Sequence, residues 1–125
     1  MARKVVLLDT NFILTCVKQK IDFFSYLEEE GFQILIPSEV IKELEKISLS
    51  KQKLRFRDAA KLSLGLLNKN KFKRVTLNAK NTDLGIINFA KQNPKLTVAT
   101  LDRDLKNKIT NKKLIIRGKK KLEIV

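Results

Sequence analysis

Carboxylates are the side chains of this sequence whose spacing could support chemistry. Asp9 directly follows the short apolar run 4–8, and Asp102 directly follows a second such run at 96–101. Both runs are too short for a helix and are typical of strands that are buried on both faces. In parallel sheets, functional sites lie at the carboxyl ends of the strands. We therefore expect Asp9 and Asp102 at one edge of a sheet.

Three further acids are predicted at or near that edge. Glu43 lies one turn beyond Glu39 in a helix predicted after the second strand, and because both share a flank of its apolar stripe, either could face a cleft. Asp83 falls in the first turn of a later helix, and Asp104 lies in a short helix after the fourth strand. Taken singly, each aspartate could equally be a helix cap or a charge that complements the helix dipole.

Converging carboxylates need a cation between them, because two like charges about 4 Å apart repel by about 4 kcal/mol at an effective dielectric constant near 20. The sequence has no histidine and a single cysteine, which excludes Ser-His-Asp and Cys-His nucleophilic sites and His-containing zinc sites. An all-oxygen ligand set suits Mg²⁺ or Mn²⁺. Such ions hydrolyse phosphodiesters by activating a bound water and stabilising the charge on the attacking and leaving oxygens.

The balance of charges favours a polyanionic partner. The chain has 27 Lys and Arg against 13 Asp and Glu, a net charge of +14, and nucleic acid is the commonest partner of such a surface. Basic segments lie at 51–57, 68–74 and 117–121. Phe56 and Phe72 stand among these cations and could stack on bases, although Phe56 also fits the core stripe of its helix. A Lys-rich composition without a polyanionic partner is the alternative interpretation.

Strands that alternate with helices predict a single α/β domain covering residues 1–125. Helical crossovers between strands indicate a mainly parallel sheet with helices on both faces. The predicted strands are 4–8, 33–36, 74–77, 96–101, 113–117 and 122–125. The first predicted helix is capped by Thr10 or Asn11, the second covers 21–30, and the third runs from Pro37-Ser38 to Ile47. The fourth covers 54–67, the fifth is capped by Thr82 and ends near Pro94, and the sixth covers 102–109. Cys16 is predicted to be a buried helix residue.

The chain is expected in the cytoplasm and without a membrane partner. No apolar run approaches the roughly 18 residues that span a bilayer, and residues 1–20 lack a hydrophobic segment followed by a small-residue cleavage site. The apolar side chains of the segment 21–27 would allow a homodimer face.

Four segments resemble the PIN-domain nucleases in their order and spacing. They are LLDTNF at 7–12, EVIKELEKI at 39–47, NTDLGIINFA at 81–90 and VATLDRDLK at 98–106. The resemblance implies a three-layer α/β/α sandwich with a central, mainly parallel sheet and a ribonuclease site that depends on Mg²⁺ or Mn²⁺. It implies Asp9, Glu43, Asp83 and Asp102 as catalytic metal ligands, Asp104 as an additional acidic ligand position, and Asn11 and Thr100 as polar residues that brace the acids by hydrogen bonds.

The activity implied by the resemblance is that of an endoribonuclease with RNA as its partner. Within this family, the chain is more similar to the ribosomal-RNA-processing branch than to the toxin branch. The similarity lies in the basic helical insert, the segment TLDRDLK and the basic carboxyl end. Two alternatives remain open, namely an RNA-binding or ribosome-assembly module with little activity, and a toxin held by an antitoxin. A phosphoaspartyl phosphatase fits worse, because the segment Asp9-Thr10-Asn11 lacks the second aspartate of the D-x-D-x-T pattern.

Overall fold

The computed structural model describes residues 3–125, in which one or two helices connect each strand to the next up to the fifth strand, and the sixth strand directly follows the fifth. The strands are β1 (Lys4–Leu8), β2 (Phe32–Pro37), β3 (Lys73–Val75), β4 (Thr97–Ala99), β5 (Lys113–Arg117) and β6 (Lys121–Ile124), and the helices are α1 (Thr10–Lys18), α2 (Phe23–Glu29), α3 (Ser38–Leu49), α4 (Leu54–Lys69), α5 (Thr82–Gln92) and α6 (Arg103–Asn107). No helix in this range is long and apolar enough to cross a membrane.

The strands form one sheet in the order β3-β2-β1-β4-β5-β6. The first five are parallel, and β6 alone pairs antiparallel, with β5. In the centre, Val6 of β1 pairs with Ile34 on one side and Thr97 on the other. The carboxyl ends of β1, β2 and β4 therefore meet at one edge, which is the predicted site of the acids.

The sheet separates two helical layers, which confirms the predicted α/β/α sandwich. Because successive strand residues point to opposite faces, Val6 and Leu8 pack with α1, α2, α3 and α4, whereas Leu7 packs with α5 and α6. All three side chains are fully buried. The run Lys4–Leu8 is apolar on both faces because both faces are covered.

Two predicted helix caps are wrong, both beside the acids. Asp9, rather than Thr10 or Asn11, caps α1, and its carboxylate accepts the backbone N–H of Thr10 at 2.8 Å. Asn81, rather than Thr82, caps α5 by accepting the N–H of Leu84 at 3.1 Å. The Thr82 hydroxyl is not free for capping, because it donates to another residue of the site.

Most other predicted elements are confirmed, with shifts of a few residues at their ends. The fourth strand is shorter than predicted, and α6 begins after Asp102 because that side chain caps the helix, accepting the N–H groups of Asp104 and Leu105 at 2.9 and 3.4 Å. The third strand is Lys73–Val75 rather than 74–77. The second helix, predicted over 21–30, is Phe23–Glu29, and Gly31 follows it with a φ of 81° that suits glycine.

The expected dimer face at 21–27 is wrong, because its apolar side chains belong to the core. Ile21, Phe23, Phe24 and Leu27 are all buried in the layer of α1 to α4. Cys16 is buried as predicted, and burial raises the pKa of its thiol to about 12. The Cys16 thiol is therefore protonated and unreactive at neutral pH.

Gly85 permits a close contact that positions the segment before α5. A Cβ atom at Gly85 would lie 2.9 Å from Leu77 Cβ and 3.0 Å from Ala79 Cβ. We expect Gly85→Ala to destabilise the protein by about 1–3 kcal/mol through overpacking, measured by urea denaturation. The matched control is Gly65→Ala in α4, where nothing lies within 4 Å of the added Cβ, and which should gain about 0.5–1 kcal/mol from helix propensity. Equal effects of the two substitutions would contradict the contact.

Candidate active site

An open cleft of about 400 Å³, here called the acid cleft, lies at the carboxyl edge of the sheet. It collects four of the predicted acids from four parts of the chain: the end of β1, the middle of α3, the start of α5 and the segment after β4. Its lining residues are Asp9, Thr10, Asn11, Glu43, Lys80, Asn81, Thr82, Asp83 and Asp102. The topology of the sheet thus brings together carboxylates that are up to 93 positions apart in the sequence.

Asp9 is the most buried acid of the cleft, with 6% of its surface exposed. Burial raises its pKa from 3.8 to about 6, against the hydrogen bonds from Thr100 and Thr10, and the negative charges of Asp83 and Glu43 add to the increase. Asp9 is held in place on both oxygens, since Oδ1 accepts the N–H of Thr10 at 2.8 Å and Oδ2 accepts the Thr100 hydroxyl at 2.9 Å. Asp9 is therefore a fixed carboxylate whose ionised form is disfavoured by burial and by two neighbouring acids.

Glu43 is held between two threonine hydroxyls. The Thr10 hydroxyl donates to Oε2 at 2.9 Å, and the Thr82 hydroxyl donates to Oε1 at 2.5 Å. These bonds connect α3 with the first residues of α1 and α5, across 33 and 39 positions of the sequence. Glu43 is therefore oriented into the acid cleft from two sides.

Glu39 has a different role from Glu43, although the two share a flank of α3. Both of its carboxylate oxygens accept the backbone N–H of Leu77 at 3.2 Å. Burial raises the pKa of Glu39, but hydrogen bonds from its own N–H and from those of Leu77, Asn78 and Ala79 outweigh burial and lower it. Glu39 thus stabilises the segment between β3 and α5 and does not line the acid cleft.

Asp83 and Asp102 form the more open side of the cleft. Desolvation raises the pKa of Asp83, the charges of Asp102 and Glu43 raise it further, and Lys108 opposes the increase. Asp104 is exposed and is not among the residues that line the cleft; its backbone N–H donates to Asp102 Oδ1 at 2.9 Å. The structure therefore brings four of the five predicted acids together and leaves Asp104 beside them.

The two predicted bracing residues differ in their contacts. Thr100 is fully buried, and its oxygen both donates to Asp9 and accepts the N–H of Asp102 at 3.1 Å. Thr100 therefore links the acids that end β1 and follow β4. Asn11 lines the cleft, but among residues 3–125 no hydrogen bond joins its side chain to an acid. Bracing by Asn11 stays a prediction.

Four further residues of the site were missed by the sequence reasoning. The hydroxyls of Thr10 and Thr82 had been interpreted as helix caps, and two lysines, Lys80 and Lys108, had been counted with the general positive charge. Lys80 lines the cleft, and Lys108 lies close enough to Asp83 to lower its pKa. The adjacency of Thr10 and Thr82 to the predicted acids was the one available signal, whereas nothing distinguishes these lysines among 27 cations.

The donor set of the cleft fits a hard divalent cation. Within residues 3–125, however, no three or more Asp, Glu, Cys or His side chains are grouped so that they could hold a metal ion as they stand. Oxygens of Asp9, Glu43 and Asp102 instead accept protein N–H and O–H groups. Because a carboxylate oxygen has two lone pairs, one hydrogen bond leaves it able to bind a metal ion. The raised pKa values of Asp9 and Asp83 agree with this, since a cation among the carboxylates would offset their repulsion.

Thr82→Val should weaken Mn²⁺ binding by about 10-fold, because loss of a hydrogen bond that orients a metal-binding side chain typically has this effect. The valine keeps the shape of threonine and removes the hydroxyl that holds Glu43 Oε1. Thr82→Ser retains the hydroxyl and should bind Mn²⁺ like the unmodified protein. Calorimetric titration with Mn²⁺ in the absence of RNA measures both variants. Similar weakening by serine and valine would contradict an orienting role of the hydroxyl.

Comparisons with other proteins cover nearly the whole chain. A family model described as a PIN like domain matches residues 6–119. Ribonuclease VapC4 of Methanocaldococcus jannaschii is 34% identical over an alignment of 122 positions that covers 93% of this chain and 92% of that protein. The PIN domain endonuclease Utp24 has a similar structure, with a TM-score of 0.73 at 29% identity over 96% of this chain and 90% of that one. VapBC2 from Rickettsia felis, solved with a DNA fragment from its promoter, shares the fold with a TM-score of 0.53 at 17% identity, over 87% of this chain and 98% of that one.

Proposed function

Because this chain belongs to the family of PIN-domain ribonucleases, we propose that it is an endoribonuclease that depends on Mg²⁺ or Mn²⁺. In this proposal residues 1–125 form a single nuclease domain. The observation that supports this most strongly is the convergence of Asp9, Glu43, Asp83 and Asp102 on one cleft that has no histidine and no thiol. The similarity to a protein named a ribonuclease supports RNA as the substrate.

In this proposal the four acids of the cleft hold the metal ion, with Asp104 as a further acid beside them. When bound, Mg²⁺ or Mn²⁺ supplies an activated water and neutralises charge on the phosphate oxygens. The hydroxyls of Thr100, Thr10 and Thr82 fix the directions of the Asp9 and Glu43 carboxylates before substrate binds. Lys80 and Lys108 then attract the phosphates beside the scissile bond.

Basic side chains near the α3–α4 connection would bind the flanking RNA by its phosphates rather than by base stacking. Lys18 lies over the Phe56 ring at 4.5 Å, and Arg55 lies beside it at 5.1 Å. Phe56 is half-buried, and cations rather than a base occupy its ring surface. Phe72 is also half-buried and packs against the core. Phe56 therefore supports the placement of Lys18 and Arg55, whereas Phe72 supports the core. Contact with phosphates gives little sequence preference.

We propose processing of ribosomal RNA in the cytoplasm as the biological role, supported by the basic helical insert and by the similarity to the endonuclease Utp24. A toxin ribonuclease held by an antitoxin is the second candidate, supported by the identity with Ribonuclease VapC4. Co-expression with the neighbouring reading frame separates the two, because a toxin would need that neighbour for the cells to grow. An RNA-binding module with little activity is the third.

Cleavage of a structured RNA tests the proposed activity. The unmodified protein should yield internal cleavage products in Mn²⁺, none in EDTA, and at least about 100-fold less with Asp102→Asn, because a metal ligand would be lost. Undiminished cleavage by Asp102→Asn would refute the proposed site. RNA binding that weakens by about 0.7 log units per phosphate contact for each tenfold rise in salt, without metal-dependent products, would instead favour the binding module.

A further inference from the structure

A second cavity, here called the basic groove, lies on the face of the sheet that α5 covers and extends from the start of β1 along β3. It has a volume of about 930 Å³. It is bounded by the start of β1, by the first part of β2, by β3 along its whole length, by the end of α5 and by the segment that leads into β4. Its lining residues are Arg3, Lys4, Val5, Gln33, Leu35, Lys73, Val75, Phe89, Gln92, Asn93, Pro94, Lys95 and Leu96. Along β1, five residue steps of about 3.3 Å, or roughly 16 Å, separate Lys4 in the groove from Asp9 in the acid cleft.

The groove exists because one helical layer does not cover the β3 side of the sheet completely. Near the acid cleft, Leu77 and Ala79 fill the space beside Gly85 of α5. Farther along α5 no such segment follows, and Val5, Val75 and Phe89 remain only half-buried at the border of the core. The floor of the groove is therefore an apolar surface beside α5 that this chain leaves open.

The rim of the groove is positively charged. Arg3, Lys4, Lys73 and Lys95 line it, and none of its lining residues within 3–125 is acidic. Lys4 donates to the backbone carbonyl of Glu30 at 3.4 Å, so its ammonium group is partly engaged elsewhere. In the range 3–125 the recorded ion pair joins Arg117 to Glu123, away from the groove. The charges at the rim are therefore available to an anionic ligand.

An exposed strand edge borders the same groove. Among the described strands, none pairs with the outer side of β3. Lys73 and Val75 line the groove, whereas Arg74 points to the other face and donates to the Ser38 hydroxyl at 3.0 Å. An extended segment that paired with β3 would direct alternate side chains towards the groove.

We propose that the basic groove binds an extended acidic segment of a partner protein, whose apolar side chains pack on Val5, Val75 and Phe89 and whose carboxylates pair with Arg3, Lys73 and Lys95. The apolar floor and the strand edge favour a polypeptide over nucleic acid. The floor is mostly aliphatic, and its single aromatic ring, Phe89, is half-buried and offers little surface for base stacking. A second copy of this chain is disfavoured by its own charge of +14.

The inference is independent of the proposed nuclease activity. The residues that line the groove and those that line the acid cleft form two separate sets, so a bound partner segment would leave the cleft open. RNA and the partner could therefore be bound at the same time.

Titration of the ¹⁵N-labelled protein with a synthetic octapeptide that alternates Glu with Leu and Phe tests the proposal. We expect saturable binding in EDTA, with chemical-shift changes in β3 and the last turn of α5. The double variant Lys73→Glu, Lys95→Glu should weaken binding by at least about 10-fold, because two charge pairs are reversed. The matched control is Lys119→Glu, Lys120→Glu in the exposed β5–β6 turn, which makes the same change in net charge and should weaken binding less than about 2-fold.

Five results would overturn the proposal. They are the absence of saturable binding, equal weakening by the two double variants, equally tight binding of a polyglutamate peptide, displacement of the peptide by a single-stranded RNA oligonucleotide, and self-association of the protein through the groove. The third would show that the apolar floor is not used. The fourth would identify the groove as an RNA surface, and the fifth as a contact between copies of this chain. Loss of cleavage by Asp102→Asn affects none of them, so the two proposals fail separately.

Discussion

Asp9→Asn is expected to reduce RNA cleavage in Mn²⁺ by at least about 100-fold and, at neutral pH in EDTA, to raise the free energy of unfolding by about 1–2 kcal/mol. The first effect follows from the proposed loss of a metal ligand. The second follows from the negative charge of Asp9, which burial and the charges of Asp83 and Glu43 disfavour when no metal is bound. A variant that is both more stable and inactive indicates that the residue is retained for function.

The sign of the stability effect follows from the pKa of Asp9. Burial raises this pKa in the folded protein from 3.8 to about 6, so between these values the folded state binds more protons than the unfolded state. The free energy of unfolding therefore falls as the pH rises from about 4 to about 6, and stays level above that range. The full change corresponds to about 3 kcal/mol. The variant recovers only part of it, because the hydrogen bond from Thr100 to Oδ2 is altered.

Urea denaturation in EDTA at several pH values between 4 and 7 measures this effect. The stability of the unmodified protein should decline across this range relative to that of Asp9→Asn, and the two should be nearly equal near pH 4. Asn retains the oxygen that caps α1, so the fold is preserved. A constant difference at every pH would contradict the raised pKa, and undiminished cleavage would contradict the metal site.

The sheet and the positions of the principal acids were predictable from local pattern. The run Lys4–Leu8 had to be a buried strand, because it is apolar at successive positions and too short for a helix. An acid placed directly after such a strand must then lie at the carboxyl edge of a parallel sheet. For this reason Asp9 and Asp102 were located without any knowledge of their spatial neighbours.

The hydrogen-bond partners of the acids were not predictable in the same way. A hydroxyl at the start of a helix can cap that helix or donate to a side chain elsewhere, and sequence periodicity does not distinguish these outcomes. The Thr82 hydroxyl donates to a side chain elsewhere, because α3 places Glu43, 39 positions away in the sequence, beside it. The same limit applies to the segment 21–27. Its apolar side chains could belong to the core or to an interface, and only the positions of the surrounding elements show that they belong to the core.

Glu39 and Glu43 show this limit most clearly. They are one turn apart on the same flank of α3, and periodicity alone gives them equivalent positions. Their neighbours come from different parts of the chain, since Thr10 and Thr82 hold Glu43 whereas the backbone at 77–79 holds Glu39. The resemblance to the PIN-domain nucleases selected Glu43, and the structure places Glu43, not Glu39, in the acid cleft.

Substitution by glutamine should therefore affect cleavage at position 43 and stability at position 39. Glu43→Gln should lower cleavage in Mn²⁺ by at least about 100-fold and leave the free energy of unfolding within about 0.5 kcal/mol. Gln retains one acceptor oxygen, and a threonine hydroxyl can accept from its amide group, while removal of the charge relieves repulsion with Asp9 and Asp83.

Glu39→Gln should instead lower the free energy of unfolding by about 1–2 kcal/mol, because backbone N–H groups at 77–79 lose a charged acceptor. Cleavage should stay within about 5-fold of the unmodified protein at a temperature where the variant is folded, since Glu39 does not line the cleft. Urea denaturation and cleavage assays on both variants, with Mn²⁺ titration as a third measurement, separate the two roles. Loss of Mn²⁺ binding in Glu39→Gln with normal binding in Glu43→Gln would show that the wrong turn of α3 has been assigned to the metal, because the two side chains are otherwise alike in chemistry and differ only in the groups that hold them.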